Sequence, residues 1–123
     1  MDLWRRVLLG LAGLSGAAGV AAAAVSAHLA GGALLETAAH FLIMNAAALV
    51  GIGALVLAAD RGRVLLLAGG SLIAAGTVLF CGDLAARAIT SSAQKWGTAP
   101  FGGGAMIAGW LMVAVGGLLS RRA

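Results

Sequence analysis

Charge is what this sequence has least of: Asp, Glu, Lys and Arg make up only 10% of its 123 residues. A soluble domain of similar size carries about 25%, and charges this sparse do not cover a water-exposed surface. A water-soluble globular fold is excluded on that ground. Cysteine is nearly absent, and with Cys81 alone no intrachain disulfide can form. One proline, and 20 glycines without a Gly-X-Y period, exclude collagen and a proline-rich disordered chain. Aromatic residues are 5% of the chain and do not interleave with basic ones, so the net charge of +4 does not describe a nucleic-acid surface. No Walker loop, dinucleotide fingerprint, HExxH or GxSxG motif is present, which removes the enzyme classes that announce themselves by motif.

What is there is apolar. Hydrophobic residues are 62% of the sequence, and the mean hydropathy is +1.06. They gather into four runs, at 7–29, 38–59, 64–84 and 103–119. A helix needs about 17–25 such residues to cross a hydrocarbon core of about 30 Å. The fourth run is at the short end, so its helix either stands upright or begins slightly earlier. Gly31-Gly32, the hairpin Asp60-Arg61-Gly62-Arg63 and a polar stretch at 91–100 closed by Pro100 separate the runs. The expected fold is all-α and integral to the membrane, a single domain forming a four-transmembrane-helix bundle. Residues 1–30 also have the basic start and small residues of a secretory signal peptide. Their apolar stretch exceeds the usual core of about 7–15 residues, so the first span is expected to be retained.

Arginine placement predicts the orientation. With both termini cytoplasmic, Arg5, Arg6, Arg61, Arg63, Arg121 and Arg122 lie inside, against Arg87 and Lys95 outside, six to two. Trp4 and Trp96 then fall at interfaces, whereas Trp110 falls mid-span and is expected to pack between helices.

Small residues predict how the helices meet, because lipid supplies no hydrophobic drive between spans. Gly102, Gly109 and Gly116 recur at heptad spacing on the fourth run. Gly69 and Gly76 do so on the third, and their stripe continues to Asp83. Ala17, Ala21 and Ala24 lead to His28, and His40 leads to Ala47, Gly51 and Ala54. Seven residues return to within about 20° of one helix face, so His28, His40 and Asp83 are each placed on a small-residue stripe. Glycine stripes need a packing reason. The alanine stripes are weaker guides in a chain this rich in alanine, and whether all three ionisable residues point inward stays open.

Those three, with Glu36, Cys81 and Arg87, gather toward the outer end of the bundle. Intramembrane ionisable groups are costly and raise a functional question by default. The leading reading is structural, since Asp83 and Arg87 form an i, i+4 pair in the favourable order and Glu36 bears the same relation to His40. A proton or ion relay through His28, His40 and Asp83 is the second reading. A zinc or copper site is the third, weakened because Cys81 and Asp83 are turned about 200° apart on a helix. Asn45 is expected to form an interhelical hydrogen bond. Ser15, Ser71 and Thr77 bond back to their own helices, and Met44, Met106 and Met112 are apolar filler.

Several motifs together resemble a known family. The first span ends Ser26-Ala27-His28, the third carries Leu79-Phe80-Cys81-Gly82-Asp83-Leu84, and Ala99-Pro100-Phe101-Gly102-Gly103 is followed by Gly109-Trp110. The chain is thereby similar to the domain-of-unknown-function 423 family of small bacterial inner-membrane proteins, related to the eukaryotic transmembrane protein 256-like proteins. Where that family has Tyr-Gln and, three residues on, His, this sequence has Phe41-Leu42 and Asn45. Many members have Ser in place of Asp83. The resemblance implies a four-helix protein of the bacterial inner membrane and no particular activity. A structural or accessory membrane component is therefore expected, alone as a homo-oligomer or beside a membrane-protein partner, without enzymatic activity, cofactor, metal or nucleic acid. The alternative is a minimal oligomeric transporter or channel with a His/Asp relay.

Overall fold

Apolar runs of this length form helices because lipid offers backbone amides and carbonyls no partners outside the segment itself. A computed structural model of the chain describes residues 2–29, 32–90 and 99–120. It contains α1 (Asp2–His28), α2 (Gly32–Ala58), α3 (Arg63–Thr90) and α4 (Ala99–Leu119). All four are long and apolar enough to cross a membrane. At 27 residues, α1 and α2 each extend about 40 Å, so they outrun a hydrocarbon core of about 30 Å. The helices accordingly continue past the apolar runs: α2 starts at Gly32, α3 runs to Thr90, and α4 begins at Ala99 rather than 103. Lys95, Trp96, Arg121 and Arg122, which entered the sequence reading, lie outside the described residues.

The α2–α3 turn is set by Gly62, whose φ of 77° is a left-handed conformation that favours glycine. A side chain there would also run into the backbone of Gly116. Arg63 finishes α2 by donating from Nη2 and Nε to the carbonyl of Ala59 at 2.6 and 3.1 Å. That satisfies a carbonyl left free at the helix end. The start of α1, the α2–α3 turn and the finish of α4 thus share one end of the molecule, and His28, Gly32 and Ala99 share the other.

The central element is α3, which packs against each of the other three helices. Of the other helices, α4 brings its backbone close to α3 alone. Glycines make that approach possible. A Cβ on Gly76 would lie 2.6 Å from the Gly102 carbonyl oxygen, and one on Gly109 would lie 2.7 Å from that of Gly69. Gly116 continues the seam against Leu65 and Leu66. The α1–α2 seam uses other residues: Gly19 against Leu42 and Ile43, Gly16 against Ala46, and Gly53 against Leu9.

This differs from the stripes that spacing marked on α1 and α2. Ala17, Ala21, Ala24 and His28 are exposed, as are His40, Ala47, Gly51 and Ala54. The buried faces instead carry Leu8, Ala12 and Gly19 on α1, and Leu35, Ala38, Asn45, Leu49, Ile52 and Val56 on α2. Glycine beside large aliphatic side chains lets knobs sink between close backbones, whereas an alanine face offers less contact area. The main core joins Leu8, Leu49, Ile52, Val56, Leu66, Leu67 and Ile73 from α1, α2 and α3. A smaller cluster of Ala38, Cys81 and Leu84 lies toward the His28 end. Trp4 ties α1 to α3 by donating from Nε1 to Ser71 Oγ at 2.7 Å, while that hydroxyl donates to the Leu67 carbonyl at 2.9 Å.

Candidate functional site

Two buried polar centres join the helices. At the first, Asp83 is 1% exposed and receives both arms of Arg87, Nη2 to Oδ2 at 2.9 Å and Nε to Oδ1 at 3.2 Å. One turn of helix separates the partners, so the fork meets the carboxylate side on. The Asp83 Oδ2 atom also accepts the backbone N–H of Ala99 at 3.1 Å. Ala99 opens α4, and the first amides of a helix have no intrahelical acceptor. Asp83 thus caps a helix that starts 16 residues downstream of it, and its negative charge suits the positive end of that helix.

The second centre lies deeper. Asn45 on α2, 1% exposed, donates from Nδ2 to Thr77 Oγ1 on α3 at 2.9 Å and to Met106 Sδ on α4 at 3.1 Å. The Thr77 hydroxyl gives its own proton to the Ile73 carbonyl at 2.6 Å. It therefore has only lone pairs to offer Asn45, which fixes the amide with Nδ2 toward Thr77. The other arm, Asn45 Oδ1, is buried without a hydrogen-bond partner among the described residues.

Asn45 also lines a cavity of about 340 Å³ between α2, α3 and α4. The rest of the wall is Phe41, Met44, Phe80, Gly103, Met106, Ile107 and Trp110. Phe41 and Phe80 meet edge to face there, with ring centroids 4.9 Å apart. Trp110, expected between helices, stands at the cavity edge and remains exposed.

The remaining candidates do not join either centre. His28 closes α1 with an exposed side chain, and His40 is exposed in a shallow pocket with Glu36, Thr37 and Phe41. Cys81 is buried and donates weakly from Sγ to the Ala38 carbonyl at 3.4 Å. No group of three His, Cys, Asp or Glu residues that would hold a metal occurs among the described residues. The sequence reading missed the bond from Asp83 to Ala99, and it assigned Thr77 and Met106 no partner outside their own helices. Met106 carries no polar signature that would have marked it; Asn45 did, as the polar residue in an otherwise apolar run.

No curated protein and no solved structure matches the chain. A family model does match, over residues 11–103, a stretch that includes Asn45, Thr77, Asp83 and Ala99. The chain belongs to the family described as protein of unknown function, DUF423.

Proposed function

We propose that the protein is a structural or accessory component of a bacterial inner membrane, with both termini cytoplasmic, rather than an enzyme or a transporter. The observation that carries this reading is the engagement of Asp83. Its carboxylate holds Arg87 and the first amide of α4, so a relay would have to break the contacts that seat α4. The exposed positions of His28 and His40 support the same reading, because neither approaches that carboxylate through a hydrogen bond among the described residues. Arg5, Arg61 and Arg63 at the end opposite His28 support the orientation. The outward small-residue faces of α1 and α2 suit packing against a second copy or a partner span.

Reconstitution into proteoliposomes tests the proposal. Proton and monovalent-cation flux is expected to equal that of protein-free vesicles and to stay unchanged in Asp83→Asn and His28→Ala. Gentle solubilisation is expected to leave the chain in an assembly larger than a monomer on native gels. Saturable flux that disappears in a folded Asp83→Asn variant would overturn the assignment.

A further inference from the structure

Two arginines from different helices meet at the end of the molecule opposite His28. Arg5 on α1 and Arg63 at the start of α3 line one recess of about 290 Å³ together with Asp2, Val56 and Leu57. Two guanidiniums against one carboxylate leave that wall one positive charge in excess. The two cations are unequally compensated. Arg5 Nη2 bonds Asp2 Oδ1 at 3.0 Å, and that aspartate side chain is 71% exposed. Arg63 bonds only the neutral carbonyl of Ala59 and has no carboxylate partner among the described residues. A guanidinium carries five N–H donors, so donors for an anion remain on both arginines. Arg6, Asp60 and Arg61, their neighbours in sequence, are exposed and do not line the recess.

The recess straddles the edge of the apolar runs. Arg5 and Arg63 stand just before the runs that begin at 7 and 64, whereas Val56 and Leu57 stand within the run at 38–59. Helices of 27 residues outrun the hydrocarbon core, which sets their ends at headgroup depth. Leu57 is 66% exposed, and on a spanning helix that exposure is to acyl chains. The complement to this wall is anionic beside the arginines and apolar beside Val56 and Leu57. A phosphodiester with one negative charge matches the excess, and arginine offers paired N–H groups to phosphate oxygens. A zwitterionic headgroup leaves the excess uncompensated, and a free phosphate leaves the apolar part of the wall without a partner.

We propose that this recess binds one anionic phospholipid, its phosphodiester held by Arg5 and Arg63 and the upper part of an acyl chain against Leu57. Basic pockets between spans are suited to such headgroups, and here the lipid joins α1 to α3. The site requires a chain that spans the membrane, but neither the accessory role nor a protein partner.

The test titrates the full chain in dodecyl maltoside micelles with dioctanoyl phosphatidylglycerol or with dioctanoyl phosphatidylcholine, which has the same tails and no net charge. Native mass spectrometry counts the lipids retained per chain, and the rise in unfolding temperature reads the same binding. Phosphatidylglycerol is expected to saturate at one per chain, and phosphatidylcholine to bind about fivefold more weakly or worse. Arg5→Gln and Arg63→Gln are each expected to weaken the anionic lipid about fivefold. Arg6→Gln and Arg61→Gln remove a charge outside the recess and are expected to cost less than about twofold in about 0.15 M salt. Equal affinity for the two lipids would overturn the proposal. Equal losses at all these arginines, the mark of a diffuse basic surface, would overturn it too, as would full displacement of the lipid by equimolar inorganic phosphate. Should Arg63→Gln fail to fold for want of its bond to Ala59, the contrast of Arg5→Gln with Arg6→Gln still decides.

Discussion

At Asp83 and Arg87 the two halves of one ion pair stand in different surroundings, and that difference decides which deletion hurts more. The carboxylate is 1% exposed, whereas the guanidinium side chain is 30% exposed. Removing the arginine leaves a buried charge whose remaining donor among the described residues is the Ala99 amide, a situation that costs about 3–5 kcal/mol. Asp83→Asn leaves the arginine free to extend toward water and keeps an acceptor for that amide, so a loss of about 1–2 kcal/mol is expected. Denaturant titration in mixed micelles should rank Arg87→Ala below Asp83→Asn in stability, and the reverse order would show that α4 capping outweighs the ion pair. Thr77→Val removes the acceptor that fixes Asn45 while keeping the shape of the side chain. It is expected to lower stability by about 1–3 kcal/mol, because the Nδ2 atom loses a buried bond. The i, i+4 pair was legible in sequence because one helix sets its geometry. The Asn45–Thr77–Met106 contact was not, since three helices must be placed before the distances exist.

Glycine on an element has two opposite meanings in this molecule, and position on the helix separates them. A Cβ at Gly102 would fall 2.5 Å from the Phe80 amide nitrogen and 2.7 Å from the Gly76 carbonyl oxygen. Those neighbours are backbone and cannot swing aside. Gly102→Ala must therefore push α4 off α3, with an expected loss of about 1–3 kcal/mol. At Gly104 and Gly117 nothing lies within 4 Å of the added carbon. Alanine at either position is expected to be neutral or to stabilise by up to about 1 kcal/mol, through helix propensity. Thermal melts of the three variants in one detergent check the contrast. The heptad stripes of α3 and α4 were legible because glycine rarely recurs without a reason. On α1 and α2 the same spacing picked outward alanine faces, since abundance made the pattern cheap to satisfy and the true seam used Gly16, Gly19 and Gly53 irregularly.

For the whole molecule, an even number of spans brings the start of α1 and the finish of α4 to the same end, alongside Asp60 and Arg61 in the α2–α3 turn. In a Cys81→Ala background, single cysteines at Asp60 and Ser120 are expected to react with a membrane-impermeant maleimide only after cells are opened. A cysteine at His28 is expected to react in intact cells. The opposite pattern would invert the orientation that the arginines favour. The number of helices and their membrane character were legible from composition and run length alone. Their arrangement around α3 was not, because four runs of similar hydropathy do not say which of them is central.

The bond from Asp83 to the first amide of α4 also bears on the order of assembly. Ribosomes deliver α3 before α4, so the carboxylate is paired with Arg87 before the Ala99 amide is there to bond its Oδ2 atom. Until Ala99 arrives, Oδ2 lacks the donor that the helix start later supplies. Because α4, among the helices, leans its backbone on α3 alone, its docking onto α3 is the step that gives the buried carboxylate its bond from Ala99.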